Sequence, residues 1–191
     1  MIFAMSAATA VFGVYEAAIL QAVYGLTPLV AGYVFAVEAL GWTITALVVS
    51  GQPDRRHGAF ILAGASAITA GVALLAATIA SGRLWLVIAA GAIIGAGFGL
   101  AWSLATRRIL GALPDEDRAI GAAAVPTAQL IGGAVGAAAA GAIANLLGLA
   151  HAFTPAHALA ASPALFAAFI PLAALGWLAA LRLARAAGEA W

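Results

Sequence analysis

The chain has 191 residues, of which 65% are hydrophobic and only 8% are Asp, Glu, Lys or Arg, and its net charge is +1. A soluble domain is nearer half apolar and a quarter charged, so this chain has too few polar residues to cover a globule in water. The near-zero net charge gives no reason to expect nucleic acid as a partner. The absence of cysteine excludes disulfide frameworks and thiolate metal sites.

Six apolar runs follow one another along the chain. Each is about as long as a bilayer core requires of a helix, and each must be a helix because lipid offers no partners for free backbone groups. Thr27-Pro28 and Ser162-Pro163 are cap-plus-proline signals that start the second and sixth runs. The sequence therefore predicts an all-α membrane protein, a single six-helix transmembrane domain over 1–191. The predicted helices cover 2–24, 28–49, 59–80, 84–106, 120–149 and 163–186.

The arginines predict how the helices are oriented. With six spans, seven of the eight basic residues fall on the side that holds both termini, and only Arg83 falls on the other. The positive-inside rule makes the arginine-rich side cytoplasmic, so we expect both termini inside the plasma (inner) membrane. A chain rich in Ala and Arg but without Lys is typical of bacteria with GC-rich coding DNA. The seven residues are Arg55, Arg56, Arg107, Arg108, Arg118, Arg182 and Arg185.

The stretch YEAAILQAVYGLTPLVAGYVFAVEALGW, residues 15–42, resembles the seventh and eighth helices of major facilitator superfamily transporters. The likeness is strongest to the multidrug-efflux branch of drug:proton antiporters, which often reads Y-L-P-L-x-L-Q-x-V-x-G-L-S-P-L-x-A-G here. Glu16 and Ala17 stand where that pattern has Leu-Pro. The fourth and fifth helices resemble the family's tenth and eleventh. The matching residues are Tyr15, Leu20, Gln21, Val23, Gly25, Leu26, Pro28, Leu29, Ala31 and Gly32.

The hairpin between the second and third runs resembles the second copy of the family's cytoplasmic motif, G-x-x-x-D-R-x-G-R. A solvated turn that sets the topology accounts for its charges. The resemblance adds a gate-like role in which the hairpin pairs charges with neighbouring helix ends. The residues of this motif-like loop are Gly51, Asp54, Arg55, Arg56 and Gly58.

The resemblance implies the C-terminal half of a transporter only. It predicts proton-coupled efflux of small lipophilic or drug-like molecules, with a second six-helix half as partner. That partner is either a second copy of the chain or a missing N-terminal half. The chain itself is then a truncated product, a sequence with a misplaced start, or a half that pairs with another chain. Such halves contain inverted three-helix repeats, so helices one to three and four to six should be related by a pseudo-two-fold axis.

Glu16 and Glu38 are the strongest candidates for function. Both lie near the middle of apolar runs, where a charge costs about 2.5–3.5 kcal/mol or more. No Arg or Lys lies within a span to neutralise them, so burial favours the protonated form. Either carboxyl could couple transport to protons or hold a cationic substrate; alternatively, each is a protonated group bonded to a neighbouring helix or reaching to an interface. Helical spacing places Ser6, Thr9 and Gly13 on the face of Glu16, and Trp42 and Thr45 on that of Glu38.

Four uncharged residues are further candidates for the substrate cavity. Tyr15 and Gln21 belong to the family-like stretch, and Trp42 shares a face with Glu38. Gln129 lies one turn before Gly132, where it either lines a cavity or hydrogen-bonds to a neighbouring helix. Glycines at every fourth position predict close helix packing rather than a dinucleotide loop; they are Gly91, Gly95, Gly99, Gly132 and Gly136.

The remaining polar residues do not favour other chemistry. The histidines lie apart along the chain with no metal-ligand spacing, so we expect no metal and no cofactor. No nucleophile and base are placed together in a loop, so the sequence does not predict an enzyme. Two alternatives remain: a non-transporting membrane protein that packs with another subunit through its glycine-rich faces, and an intramembrane enzyme acting on lipid.

Overall fold

The computed structural model describes residues 1–149, 151 and 153–185, and these residues form helices and turns without a strand. The prediction of an all-α chain is confirmed. Seven α-helices are joined by short turns, with 3-10 turns at Asp54–Arg56 and Asp115–Asp117. The helices are α1 (Ile2–Tyr24), α2 (Pro28–Ser50), α3 (His57–Thr78), α4 (Leu84–Gly111), α5 (Arg118–Leu146), α6 (Pro155–Ala167) and α7 (Ile170–Arg185).

Local sequence explains where the second and sixth spans begin. The Thr27 hydroxyl accepts a hydrogen bond from the Val30 backbone N–H at 3.4 Å, with Pro28 as the first residue of α2. Thr154 caps α6 in the same way through the His157 N–H at 3.3 Å. The predicted start of the sixth helix at Pro163 is therefore wrong, because the same signal occurs more than two helical turns earlier, at Thr154-Pro155.

Pro171 marks a break rather than a kink in the sixth span. Residues 168 and 169 form a turn between α6 and α7, and Pro171 follows at the second position of α7. Its missing N–H cannot bond the carbonyl of Ala167, the last residue of α6. The helices α5 and α6, in contrast, continue without interruption through Pro126 and Pro163.

Six helical segments are long and apolar enough to cross a membrane, as the sequence predicts. The sixth consists of α6 and α7 together, over Pro155–Arg185. Two further helix ends differ from the prediction by three residues or more, because hydropathy does not locate helix ends precisely. α4 continues to Gly111, and α5 ends at Leu146, where Gly148 turns the chain with φ of 81°.

α4 packs extensively on α3 as well as on α2, and two helix pairs correspond to each other in the internal repeat. One pair is α2 with α4, and the other is α1 with α5. An inverted repeat matches spans one, two and three with spans four, five and six. Under this match, the contact of α2 with α4 corresponds to the contact of α5 with α1. The same match relates the contact of α3 with α4 to that of the sixth span with α1, and both contacts are present.

Glycines lie where the backbones approach most closely. A Cβ on Gly132 would stand 3.0 Å from the Phe3 Cα and would overlap the Phe3 carbonyl oxygen. Gly136 is equally close to Ala7, so these two residues set the contact of α5 with α1. In the other pair, Gly95 faces the Glu38 backbone and Gly99 faces the helical turn at Trp42–Ala46. Gly91 lies outside this pair contact, since its Cβ position is 3.3 Å from the Phe12 ring of α1.

Gly132→Ala should destabilise the fold by about 1–3 kcal/mol, because the new methyl group overpacks the contact with α1. The measurement is the free energy of unfolding in detergent. Gly133→Ala is the matched control on the adjacent residue: nothing lies within 4 Å of its Cβ position. That variant should be neutral or gain up to about 1 kcal/mol from helix propensity. Equal losses in both variants would contradict the packing role of Gly132.

Candidate functional site

A cleft of about 510 Å³ lies among α1, α2, α4 and α5. Its lining combines small, apolar and a few polar side chains, as small-molecule sites do. Leu130, at its edge, is 74% exposed, so the cleft opens to the outside of the bundle. The lining residues are Ser6, Thr9, Ala10, Glu38, Trp42, Phe98, Gln129, Leu130, Gly133, Ala134 and Ala137.

Glu38 places a carboxyl group in the cleft. It lies near the middle of α2, and it is the one ionisable side chain among the lining residues. Gly95 brings α4 directly against the Glu38 backbone. Neither ion pair of the described residues involves Glu38. The carboxyl is therefore available to a cationic ligand or to a proton.

Trp42 and Phe98, the two aromatic residues that line the cleft with Glu38, form a cluster with Trp102. Trp42, one turn beyond Glu38, stacks on Phe98 with ring centroids 5.1 Å apart and planes at 11°. The Trp102 ring is tilted against both, with its centroid 6.1 Å from that of Trp42 and 5.5 Å from that of Phe98. Rings in this arrangement offer flat apolar surface to a planar molecule, and their faces attract cations.

Glu16 occupies a different environment. Its side chain is 1% exposed, and it does not line the cleft. Neither carboxyl oxygen has a hydrogen-bond partner among the described residues. A charge is expensive in such surroundings unless it is paired.

The cleft joins only some of the predicted residues. Trp42 and Gln129 line it together with Glu38. Tyr15 packs against the hydrophobic core instead, and the Gln21 side chain bonds the Ala17 carbonyl of its own helix at 3.1 Å. Ser6 and Thr9, predicted on the face of Glu16, lie at the cleft although Glu16 does not.

Sequence reasoning missed Phe98 and Trp102. The two residues are four apart on α4, which places them on one face of that helix. They lie among glycines that signal close packing, so the aromatic spacing within GAGFGLAW was the available clue.

The motif-like loop makes only local polar contacts. Asp54 pairs with His57 of the same hairpin at 3.4 Å, and the Arg56 guanidinium donates to the Gln52 side chain at 3.3 Å. The other imidazole nitrogen of His57 lies 3.1 Å from the Gln52 carbonyl oxygen. His57 is buried as the first residue of α3, a role that its sequence context does not indicate. The predicted pairing of this loop with neighbouring helix ends is not seen in the described residues.

No group of three or more His, Cys, Asp or Glu side chains in the described part of the chain is placed to hold a metal ion. Within those residues, the cleft therefore offers one carboxylate, hydroxyl and amide groups, and aromatic faces. This donor set can bind an organic cation or exchange a proton.

Comparison with known proteins finds two relatives, each described as a "probable multidrug-efflux transporter", from two strains of Mycobacterium tuberculosis. Each is 36% identical to this chain over 126 residues. The match covers 63% of this chain but only 27% of each relative, so it spans little more than a quarter of their length. No family model matches, and no solved structure matches. The chain is a multi-pass helical membrane protein similar to part of a multidrug-efflux transporter.

The structure predicts that water-soluble thiol reagents reach the cleft but not Glu16. Because the chain has no cysteine, single-cysteine variants report one site each. Glu38→Cys should react with a small methanethiosulfonate at least about tenfold faster than Glu16→Cys, since thiol reactivity depends on access and ionisation. Thr9→Cys and Ala8→Cys give a matched pair on adjacent residues of α1, one in the cleft and one buried. Equal rates within each pair would contradict the separation of the two environments.

Proposed function

We propose that the chain is one six-helix half of a major facilitator superfamily transporter that exports small lipophilic molecules in exchange for protons. The observation that carries the proposal is the cleft with Glu38 and stacked aromatic rings at mid-span. The partial similarity to multidrug-efflux transporters supports transport as its use. An enzyme acting on lipid finds less support, since the Thr9 hydroxyl of the cleft donates to its own helix rather than to Glu38.

The cleft favours a flat, lipophilic and positively charged substrate. A cation within reach of Glu38 gains a partner in a place where an isolated charge is costly. The Trp42–Phe98 stack adds apolar contact and attracts the same charge. Gln129, across the cleft on α5, supplies an amide for polar groups of the substrate.

Glu16 carries the exchangeable proton in this proposal. The sealed carboxyl is neutral, and it releases its proton when water reaches it in another conformation. In the same cycle, Glu38 exchanges substrate for a proton at the cleft. Rocking of one half against the other around a midplane site is the motion that provides such alternating access.

A second six-helix half is the proposed cover of the cleft. α2 exposes a row of large apolar side chains, among them Leu40, Ile44 and Leu47, and α5 exposes Leu130 and Val135. These two helices flank the opening of the cleft. A second half packed on them would close the cleft into a central cavity, either as a second copy of this chain or as a different six-helix body. A membrane protein that packs with another subunit without transporting would use the same faces.

The chain reconstituted in proteoliposomes should export a lipophilic cationic dye when a pH gradient is imposed. Ethidium is a suitable dye because it is planar and charged. Glu116→Gln, a change on the exposed 3-10 turn before α5, is the control and should leave export intact. Binding of dye without export would mean that a different second half is required. If the chain neither binds nor exports the dye, the transport proposal is overturned and the non-transporting membrane protein is favoured.

Substitution of the two carboxyls should impair different steps, dye binding for Glu38 and proton release for Glu16. Glu38→Gln should weaken binding of a cationic dye by about tenfold or more, because it removes a charged partner, and should spare a neutral analogue of the dye. Glu16→Gln should retain dye binding but abolish dye-driven proton release, measured with a pH indicator in weakly buffered vesicles. Unchanged proton release in Glu16→Gln would remove Glu16 from the coupling mechanism.

A further inference from the structure

Gly133, on α5, borders the cleft, and packing does not require a glycine there. Among the described residues, no atom lies within 4 Å of the position that its Cβ would take. Gly132 and Gly136, in contrast, are in close contact with Phe3 and Ala7 of α1. Glycine inside a helix is less stable than alanine, and at Gly133 no close contact offsets that cost.

The missing side chain of Gly133 leaves open space in the cleft. Before it along α5, the lining residues Gln129 and Leu130 are large. After it, the lining residues Ala134 and Ala137 are small. The α5 lining therefore changes from large to small side chains at Gly133. A larger residue at this position would fill the cleft without disturbing the contact of α5 with α1.

The aromatic part of the lining belongs to the other helix pair. Trp42 of α2 and Phe98 of α4 stack with their planes at 11°, whereas α1 contributes Ala10. Flat rings from one pair and small side chains from the other leave room for a planar molecule to lie against the rings. The volume of about 510 Å³ is in the lower part of the range of about 300–1,000 Å³ for ligand pockets. One additional side chain would therefore remove a substantial share of the space.

Ser6 of α1 also indicates that the cleft has an occupant. It lines the cleft and is 9% exposed. Its hydroxyl oxygen has no hydrogen-bond partner among the described residues, whereas Thr9 donates to the Met5 carbonyl oxygen at 3.0 Å. A serine side chain turns about a single torsion between staggered positions. A polar group of a bound molecule can therefore pair with this hydroxyl.

We propose that Gly133 determines the size of the molecule that the cleft accepts. Its missing side chain admits a polycyclic planar cation against Trp42 and Phe98, and a larger residue here restricts the cleft to smaller molecules. The inference rests on the proposed function, because it names the property by which this site selects among its substrates. Glu38 and the rings attract a cation of any size, whereas the space at Gly133 distinguishes a large cation from a small one.

The test compares Gly133→Leu with Gly141→Leu in the full chain. Gly141 also lies on α5 with nothing within 4 Å of its Cβ position, but it does not line the cleft. One arm measures binding of ethidium, a polycyclic planar cation, and of the smaller N-methylquinolinium to the detergent-solubilised protein. The other arm introduces Thr9→Cys in the cleft and measures its reaction with two methanethiosulfonates of equal charge. One reagent carries an ammonium group and the other a bulkier triethylammonium group.

Gly133→Leu should weaken ethidium binding by at least about tenfold and spare N-methylquinolinium, because even one methylene group too many in a pocket discriminates by about that factor. It should likewise slow the triethylammonium reagent more than the ammonium reagent. Gly141→Leu should match the parent chain in both arms. Gly133→Ala adds one carbon and should shift both measurements less, in the same direction. It also serves if Gly133→Leu does not fold.

Two results would overturn the proposal. One is an equal effect of Gly133→Leu and Gly141→Leu on the large probes. The other is an equal loss of large and small probes in Gly133→Leu, since the new side chain would then block the cleft rather than set its size limit. The two arms also separate this inference from the proposed function. If the parent chain binds neither cation, the transport proposal fails, and the size dependence of the thiol reaction still decides the role of Gly133.

Discussion

A hydrocarbon solvent offers no hydrogen-bond partners, and the rest of this structure follows from that constraint. Backbone groups bond within helices, and hydroxyl groups do the same. Thr69 and Thr45 each donate to the carbonyl four residues earlier and to a neighbouring helix, at 3.3 Å to Ala173 and 3.0 Å to Ala96. Against this background, four buried polar side chains have atoms without a hydrogen-bond partner in the described part of the chain: Glu16, Ser6, Arg108 and Ser162.

The two carboxyls illustrate how packing assigns different chemistry to the same residue type. Glu38 lies at a cleft because Gly95 lets α4 approach α2 while α5 stays apart from both. Glu16 faces the closed side of α1 and is sealed. A ligand in the cleft can reach Glu38, whereas Glu16 is shielded from it. The proposed exchange of substrate for protons uses the two carboxyls in different steps. A transporter that couples two fluxes needs both kinds of site.

The sequence predicted the six spans, since hydropathy and length suffice for them, and also Glu38 and Trp42 on one face. It did not separate Glu16 from Glu38, because both have the same local surroundings and only tertiary contacts distinguish them. The sixth helix was misplaced because Thr154-Pro155 and Ser162-Pro163 are equivalent signals locally. The Trp42–Phe98 stack was missed since its members come from α2 and α4, helices that no local pattern brings together.

The cleft lies between two pairs of helices that are each locked by glycine contacts, α2 with α4 and α1 with α5. Within a pair, the backbones are too close to slide without moving together. The contacts of α1 with α2 and of α4 with α5 are slight, while α3 and the sixth span connect the pairs on the far side. Glu38 and Phe98 belong to one pair, and Thr9 and Gln129 to the other. A ligand in the cleft would therefore contact both pairs at once. Its binding would stabilise one distance between the two pairs rather than the packing within either pair.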